Sequence, residues 1–172
     1  MSRSEIARRV KRGELRRLDR GLYVEPGYLG GEHATLAMVA KRAPLVIFCL
    51  LTALRIHDLT TQAPADVWIA IGHKDHPPRL AYPRLRTVRI STSALDAGVE
   101  TRTVDGTTIR VTNVAKTIAD CFKFRNKVGL DVALEALREA RRERRASMDD
   151  LWKFAKIDRV LRIMRPYLEA IG

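Results

Sequence analysis

Residues 2–24 read SRSEIARRVKRGELRRLDRGLYV, and this stretch decides the expected fold of the N-terminal part. Ser2 or Ser4 can cap a short helix over residues 2–12, with Glu5 near the positive end of its dipole. Ile6, Ala7 and Val10 give it a narrow apolar stripe, and Arg3, Arg8, Arg9, Lys11 and Arg12 occupy the rest. Gly13 is a good helix stop. Leu22 and Val24 then alternate as one strand, whereas Leu15 and Leu18, three apart, suit a bulged or irregular first arm. Asp19-Arg20-Gly21 reads as the tight turn between the arms. A basic helix followed at once by a basic hairpin is the second half of a winged helix-turn-helix. That motif carries one or two helices ahead of its recognition helix, and this sequence opens at or inside that helix. Ile6 and Val10 alone cannot hold it firmly. Either leading helices are missing or another element supplies the packing surface.

Working outward, Pro26-Gly27-Tyr28-Leu29-Gly30-Gly31 reads as a linker. It divides a partial winged helix-turn-helix over residues 1–27 from a mixed α/β domain over residues 31–172. The expected class is therefore α+β, with a small sheet and C-terminal helices. His33 to Lys41 reads as an apolar-rich helix ended by Pro44, and Val46 to His57 as a helix or a buried strand running into one. Val67-Trp68-Ile69-Ala70-Ile71 is apolar on both faces, as a central strand is. Arg86 to Ile90 alternates as another strand. Asp105-Gly106 between Val99–Val104 and Thr107–Val111 is a strong hairpin signal. Thr112 or Asn113 caps a helix whose Val114, Ile118 and Cys121 share a face. Leu130 to Arg142 forms a long helix, Ser147 caps another, and a last one spans Ile157 to Ile171 with a bend at Pro166.

The chain has 172 residues and a formal net charge of +12. Such an excess repels itself unless something anionic uses it, and nucleic acid, an acidic protein and a membrane surface are the candidates in that order. The charge is clustered. Arg3, Arg8, Arg9, Lys11, Arg12, Arg16, Arg17 and Arg20 are opposed locally only by Glu5, Glu14 and Asp19. A recognition helix turns long cations toward phosphates and base edges, and a wing lays a basic tip along the adjacent backbone. Those eight residues are the candidate DNA-binding set; the alternative is a solvated amphipathic helix beside an incidental hairpin. A second cluster, Arg138 to Arg145, reads first as a solubilising helix end, favoured by the dipole, and alternatively as a dock for an acidic partner.

Little points to catalysis. Cys49 and Cys121 lie in apolar surroundings without metal spacing, and fit reduced core positions in a cytoplasmic protein. No leader is visible, and the longest apolar run, Pro44 to Leu54, is too short to span a bilayer. His57 suits a capping or buried role; His73 and His76 lie in a loop with too few other ligands to suggest a metal site. A nuclease would need carboxylates held together on adjacent strands. Asp66 opens a strand, Asp105 belongs to a turn, and Glu100 has no neighbouring lysine. No cofactor and no metal are expected.

Several blocks, in order, resemble the AbiEi-type antitoxins, the regulator halves of bacterial type IV toxin–antitoxin pairs. They are Leu15-x-x-Leu18-x-Arg20-Gly21-Leu22-Tyr23, Cys49-Leu50-Leu51-Thr52-Ala53-Leu54-x-x-His57-x-Leu59-Thr60, Val67-Trp68-Ile69-Ala70-Ile71, Thr117-Ile118-Ala119-Asp120-Cys121-Phe122, Val128-Gly129-Leu130-Asp131-x-Ala133-Leu134 and Arg165-Pro166-Tyr167-Leu168-Glu169. The resemblance spans nearly the whole chain. It implies a winged helix-turn-helix that binds double-stranded DNA repeats in the protein's own promoter and represses transcription. It also implies a C-terminal α/β domain needed for antitoxin activity against a nucleotidyltransferase-like toxin, without a stable complex. The family's leading helices have no counterpart here.

Overall fold

The computed structural model describes residues 1–19, 22–24 and 31–172. Arg20, the Asp19-Arg20-Gly21 turn and most of the 26–31 linker therefore lie outside the described residues. The N-terminal part consists of helix α1 (Arg3–Lys11) and a ribbon of β1 (Arg16–Asp19) and β2 (Leu22–Val24). Arg16 pairs with Val24 and Arg17 with Tyr23 in antiparallel register, and the register shifts between Arg17 and Asp19. That shift is the irregularity read from the spacing of Leu15 and Leu18.

The remainder is mixed α/β. Its sheet runs in the order β5-β4-β3-β7-β6, with β3 (Ile47–Phe48) at the centre, β4 (Val67–Gly72) and β5 (Leu85–Ile90) on one side, and β7 (Thr107–Thr112) and β6 (Val99–Val104) on the other. The β3–β7 and β4–β5 pairs are parallel; β3–β4 and β6–β7 are antiparallel. Parallel neighbours need a crossover, commonly a helix. Between β4 and β5 residues 73–84 serve instead, and one guanidinium ties down the start of this segment. Nη1 of Arg89 donates to the carbonyls of Gly72, His73 and Asp75 at 3.1, 2.9 and 2.7 Å. Asp75 Oδ2 accepts from Gly72 N at 3.0 Å, which commits this carboxylate to the turn between His73 and His76.

Alternation along β4 explains the layering. Trp68 and Ala70 face a core shared with α3 (Leu50–Ile56), α5 (Val114–Lys123), α7 (Leu130–Arg142), α8 (Met148–Ile157) and α9 (Leu161–Ile171). Val67, Ile69 and Ile71 face a smaller core under α2 (Glu32–Arg42), built with Leu36, Val39, Phe48, Ile109 and Val111. Each fully buried aliphatic side chain contributes about 1.5–3 kcal/mol. A strand buried on both faces, as β4 is, reads as an unbroken apolar run for this reason. Two short helices, α4 (Thr92–Leu95) and α6 (Arg125–Val128), complete the elements.

Local signals set several boundaries. Asn113 is the cap of α5, its Oδ1 accepting from Lys116 N at 2.8 Å. Ser147 Oγ caps α8 through Asp150 N at 3.1 Å. The segment from Val46 to His57 is a strand running into a helix. The last helix starts later than its sequence suggests, because the chain breaks at Asp158-Arg159-Val160, with Arg159 at φ +58 ending α8. Pro166 then lies inside α9.

A candidate nucleic-acid interface

Ser2 Oγ accepts from Glu5 N at 3.2 Å and opens α1. Gly13, at φ +76, closes it: its N–H bonds the Val10 carbonyl while Glu14 N bonds that of Arg9. This paired closure needs a left-handed residue, which glycine adopts without strain. It also carries the Glu14 carboxylate back over the last turn. Glu14 lies 3.3 Å from Arg9 Nε and 3.2 Å from Arg12 Nε, so one acid gathers two guanidiniums between helix and ribbon. The pairs are solvent-exposed and worth about 0–1 kcal/mol each, so a phosphate can compete for either arginine.

No residue of α1 is buried. Arg8, Lys11 and Arg12 are exposed and Arg9 is half-buried. Spacing along the helix groups these four on one side. Arg3, three before Ile6 and seven before Val10, falls on the apolar side instead. Val10 keeps 37% of its surface exposed, so the stripe read as a packing face is largely uncovered among the described residues. Arg16 and Arg17 are both exposed. As neighbours on β1 they project from opposite faces of the ribbon, so only one of them shares a surface with any given side of α1. Arg20, the last of the eight sequence candidates, lies outside the described residues.

The second arginine cluster is mostly engaged. Arg141 Nη1 donates to the Ala146 carbonyl at 3.1 Å and Arg145 Nη1 to that of His57 at 2.8 Å. Arg142 pairs with Glu139 and Glu143. Arg138 and Arg144 are left as exposed cations. The carboxylates considered for a nuclease are dispersed: Asp66 precedes β4 and Glu100 lies on β6, with β3 and β7 between them, a separation of about 14 Å across the sheet. Asp66 faces Arg84 at 4.0 Å and Glu100 faces Arg102 at 3.4 Å. Among the described residues no three His, Cys, Asp or Glu side chains converge as a metal site, and no helix is long and apolar enough to cross a membrane. A recess of about 200 Å³ is lined by Glu32, Arg55, Thr52, Asp66 and Tyr82. Glu32 and Arg55 neutralise each other there at 2.9 Å, which leaves it no dominant charge.

Sequence reasoning missed a fully buried ionic cluster found among the described residues. Lys116, Asp120 and Asp158 are 0%, 0% and 1% exposed. Lys116 Nζ donates to Asp120 and lies 3.0 Å from Asp158 Oδ1. Asp120 Oδ2 and both Asp158 oxygens meet no donor in hydrogen-bonding geometry. Burial, with the hydrogen bond and charge of Asp158 adding to it, pushes the Asp120 carboxyl well above the usual carboxylate range despite Lys116. Burial alone would lower the Lys116 pKa, but the two acids outweigh it and raise it. The trio fastens α5 to the turn between α8 and α9. The one available signal was Lys116 and Asp120 at i and i+4, which looks like an ordinary surface pair.

His57 is 1% exposed, and its Nε2 donates to the Thr112 carbonyl at 2.7 Å. Its Nδ1 accepts from Arg102 Nη2 at 3.2 Å, which fixes the neutral tautomer. Burial, followed by the Arg102 and Arg145 charges, lowers its pKa against the opposing effects of Thr112 and Glu100. Cys49 and Cys121 are free, buried thiols, pushed upward by burial. No protein-family model matches the chain, and no curated protein matches it.

Proposed function

We propose that this chain is a non-catalytic DNA-binding regulator of the AbiEi antitoxin type, acting on the promoter of its own operon. The observation that carries the reading is the surface of α1 and its ribbon. Arg8, Lys11, Arg12, Arg16 and Arg17 are exposed within a short segment, and no residue of the helix is committed to a core. Glu14 holds Arg9 and Arg12 together where helix meets ribbon. Arg8 and Lys11 on the basic side of α1 would meet the major groove or its phosphates; Arg3 would contribute from the helix flank. Whichever of Arg16 and Arg17 shares that side of the ribbon would track the neighbouring backbone. In this reading the α/β part carries the antitoxin activity toward a nucleotidyltransferase-like toxin.

The alternative of an acidic protein docking at Arg138 to Arg145 is weaker, because Arg141 and Arg145 already donate to backbone carbonyls within the fold. A gel-shift on the intergenic DNA upstream of the coding sequence tests the proposal. Binding is expected at low salt, weakened by Arg8→Ala or Arg9→Ala and indifferent to Lys74→Ala. Absence of a shift at low salt from folded protein refutes it.

A further inference from the structure

The sheet has two edges, and they differ in a way that selects a partner. At one edge, β5 carries Arg86 and Arg89 and no acid. Arg86 lies over the Trp68 ring at 4.5 Å and Arg89 is consumed by the 73–84 segment. Two copies laid together along this edge would set like charges against each other. Basic edge strands are a common guard against such pairing.

The other edge, β6, carries one acid and one base, and no strand pairs with its outer side among the described residues. Asp105 and Gly106, at φ +47 and +71, form the two-residue turn to β7. In such a hairpin the closing pair, here Val104 with Thr107, exchanges hydrogen bonds, and bonded pairs recur at every second position. Arg102 with Ile109 and Glu100 with Val111 are therefore the bonded pairs. Thr101 and Thr103, both exposed, and the half-buried Val99 turn their N–H and C=O groups away from β7.

The sequence of that edge is charge-complementary to its own reverse. Glu100 and Arg102 flank Thr101 on one face of the strand, half-exposed, with Arg102 Nε 3.4 Å from Glu100 Oε1. We infer that β6 pairs antiparallel with β6 of a second copy of this chain, about a two-fold axis through Thr101. In that register Thr101 bonds its counterpart and Val99 bonds Thr103 in both directions, for about six backbone hydrogen bonds. Glu100 of each copy falls opposite Arg102 of the other, in the non-bonded pairs where side chains approach most closely. The four charges then alternate in sign, and the two sheets become one.

The helices leave room for it. α2 rests on Val104, Ile109 and Val111 of the β6–β7 hairpin. The two β7 strands would stand three strand spacings apart, about 14 Å. Packed helices need about 8–10 Å, so both α2 helices fit on the same side of the joined sheet. A contact confined to one strand pair is small and opposed by the net charge, so the dimer is a weak one that forms reversibly. The pairing does not depend on the DNA-binding reading, although it would supply two copies to a repeated operator.

Light scattering coupled to gel filtration at about 100 µM tests it, because weak edge contacts of this size associate in the micromolar range. The wild-type chain should show a concentration-dependent dimer. Glu100→Arg and Arg102→Glu should each raise the dissociation constant about tenfold or more, since each turns complementary pairs into like-charged ones. A 1:1 mixture of the two variants should dimerise again, because every pair is then complementary; this recovery also shows that neither variant merely failed to fold. Thr101→Pro, which removes only an outward N–H, should abolish association. A wild-type chain that stays monomeric at this concentration overturns the inference. So does a dimer that both charge variants leave unchanged, or variants whose mixture fails to recover.

Discussion

Replacing Lys116 by methionine removes the ammonium group between Asp120 and Asp158 and keeps most of the stem. Both acids remain essentially without solvent, with exposures of 0% and 1%. Breaking a buried ionic group by deleting one partner costs about 3–5 kcal/mol, because the remaining charge has neither water nor counter-ion. In a domain of this size 1 kcal/mol moves the melting temperature by about 2–4 °C. Lys116→Met should therefore melt roughly 6–20 °C below the wild type at neutral pH. The deficit should also depend on pH. The Asp120 pKa is raised on folding, so its stabilising contribution is complete below its unfolded value of 3.8 and is lost as pH climbs toward the folded value. Lys116 is also raised, and its contribution is complete below 10.5 and lost above. Without Lys116 nothing opposes the upward push on Asp120, and the penalty at neutral pH grows. Acidification protonates Asp120, whose pKa is already raised by burial, and so relieves the variant. Thermal melts followed by circular dichroism from pH 7 down to pH 4 should thus converge. A variant within about 2 °C of wild type, or a deficit that does not change with pH, refutes this account of the trio.

Further outcomes follow from single contacts. Gly98 sits at φ +72, and a Cβ there would lie 2.7 Å from Lys116 Cβ and 2.9 Å from Phe154 Cε1. Gly98→Ala should cost about 2–4 kcal/mol in urea unfolding, from overpacking and left-handed strain together. The His57 pKa is lowered on folding, so its contribution is complete above 6.5 and is lost as pH falls through the folded value. His57→Gln keeps a donor for the Thr112 carbonyl and removes the titration. The stability advantage of wild type over this variant should shrink below pH 6.5 by up to about 1.4 kcal/mol per pH unit.

Strong local signals carried most of what the sequence disclosed. The Asn113 cap, the Asp105-Gly106 turn and the two-sided apolar run of β4 each depend on residues close together in the chain, and each appears where its chemistry puts it. The order of the strands does not depend on neighbours: β3 is two residues long, yet it joins β4 to β7, and nothing in Ile47 and Phe48 specifies that. The start of α9 was expected at Ile157 rather than Leu161 because Arg159 takes a left-handed conformation without a glycine to announce it. Lys116, Asp120 and Asp158 went unnoticed as a group because the third member lies far along the chain and the first two mimic a surface pair. In the candidate interface the exposure of Arg3, Arg8, Lys11, Arg12, Arg16 and Arg17 was legible, whereas Arg9 is half-buried. Their distribution over two sides of α1 and two faces of the ribbon required coordinates, as did the clamp that Glu14 makes on Arg9 and Arg12.

The proposed grip on a polyanion is tested most directly by the salt dependence of binding. With about five phosphate contacts from α1 and the ribbon, the logarithm of the binding constant should fall against the logarithm of salt concentration with a slope of about −4.5. Arg8→Ala should reduce its magnitude by about 1. Fluorescence anisotropy on a labelled promoter duplex measures both. A folded protein whose binding is absent or independent of salt, or whose slope is unmoved by Arg8→Ala, contradicts the account.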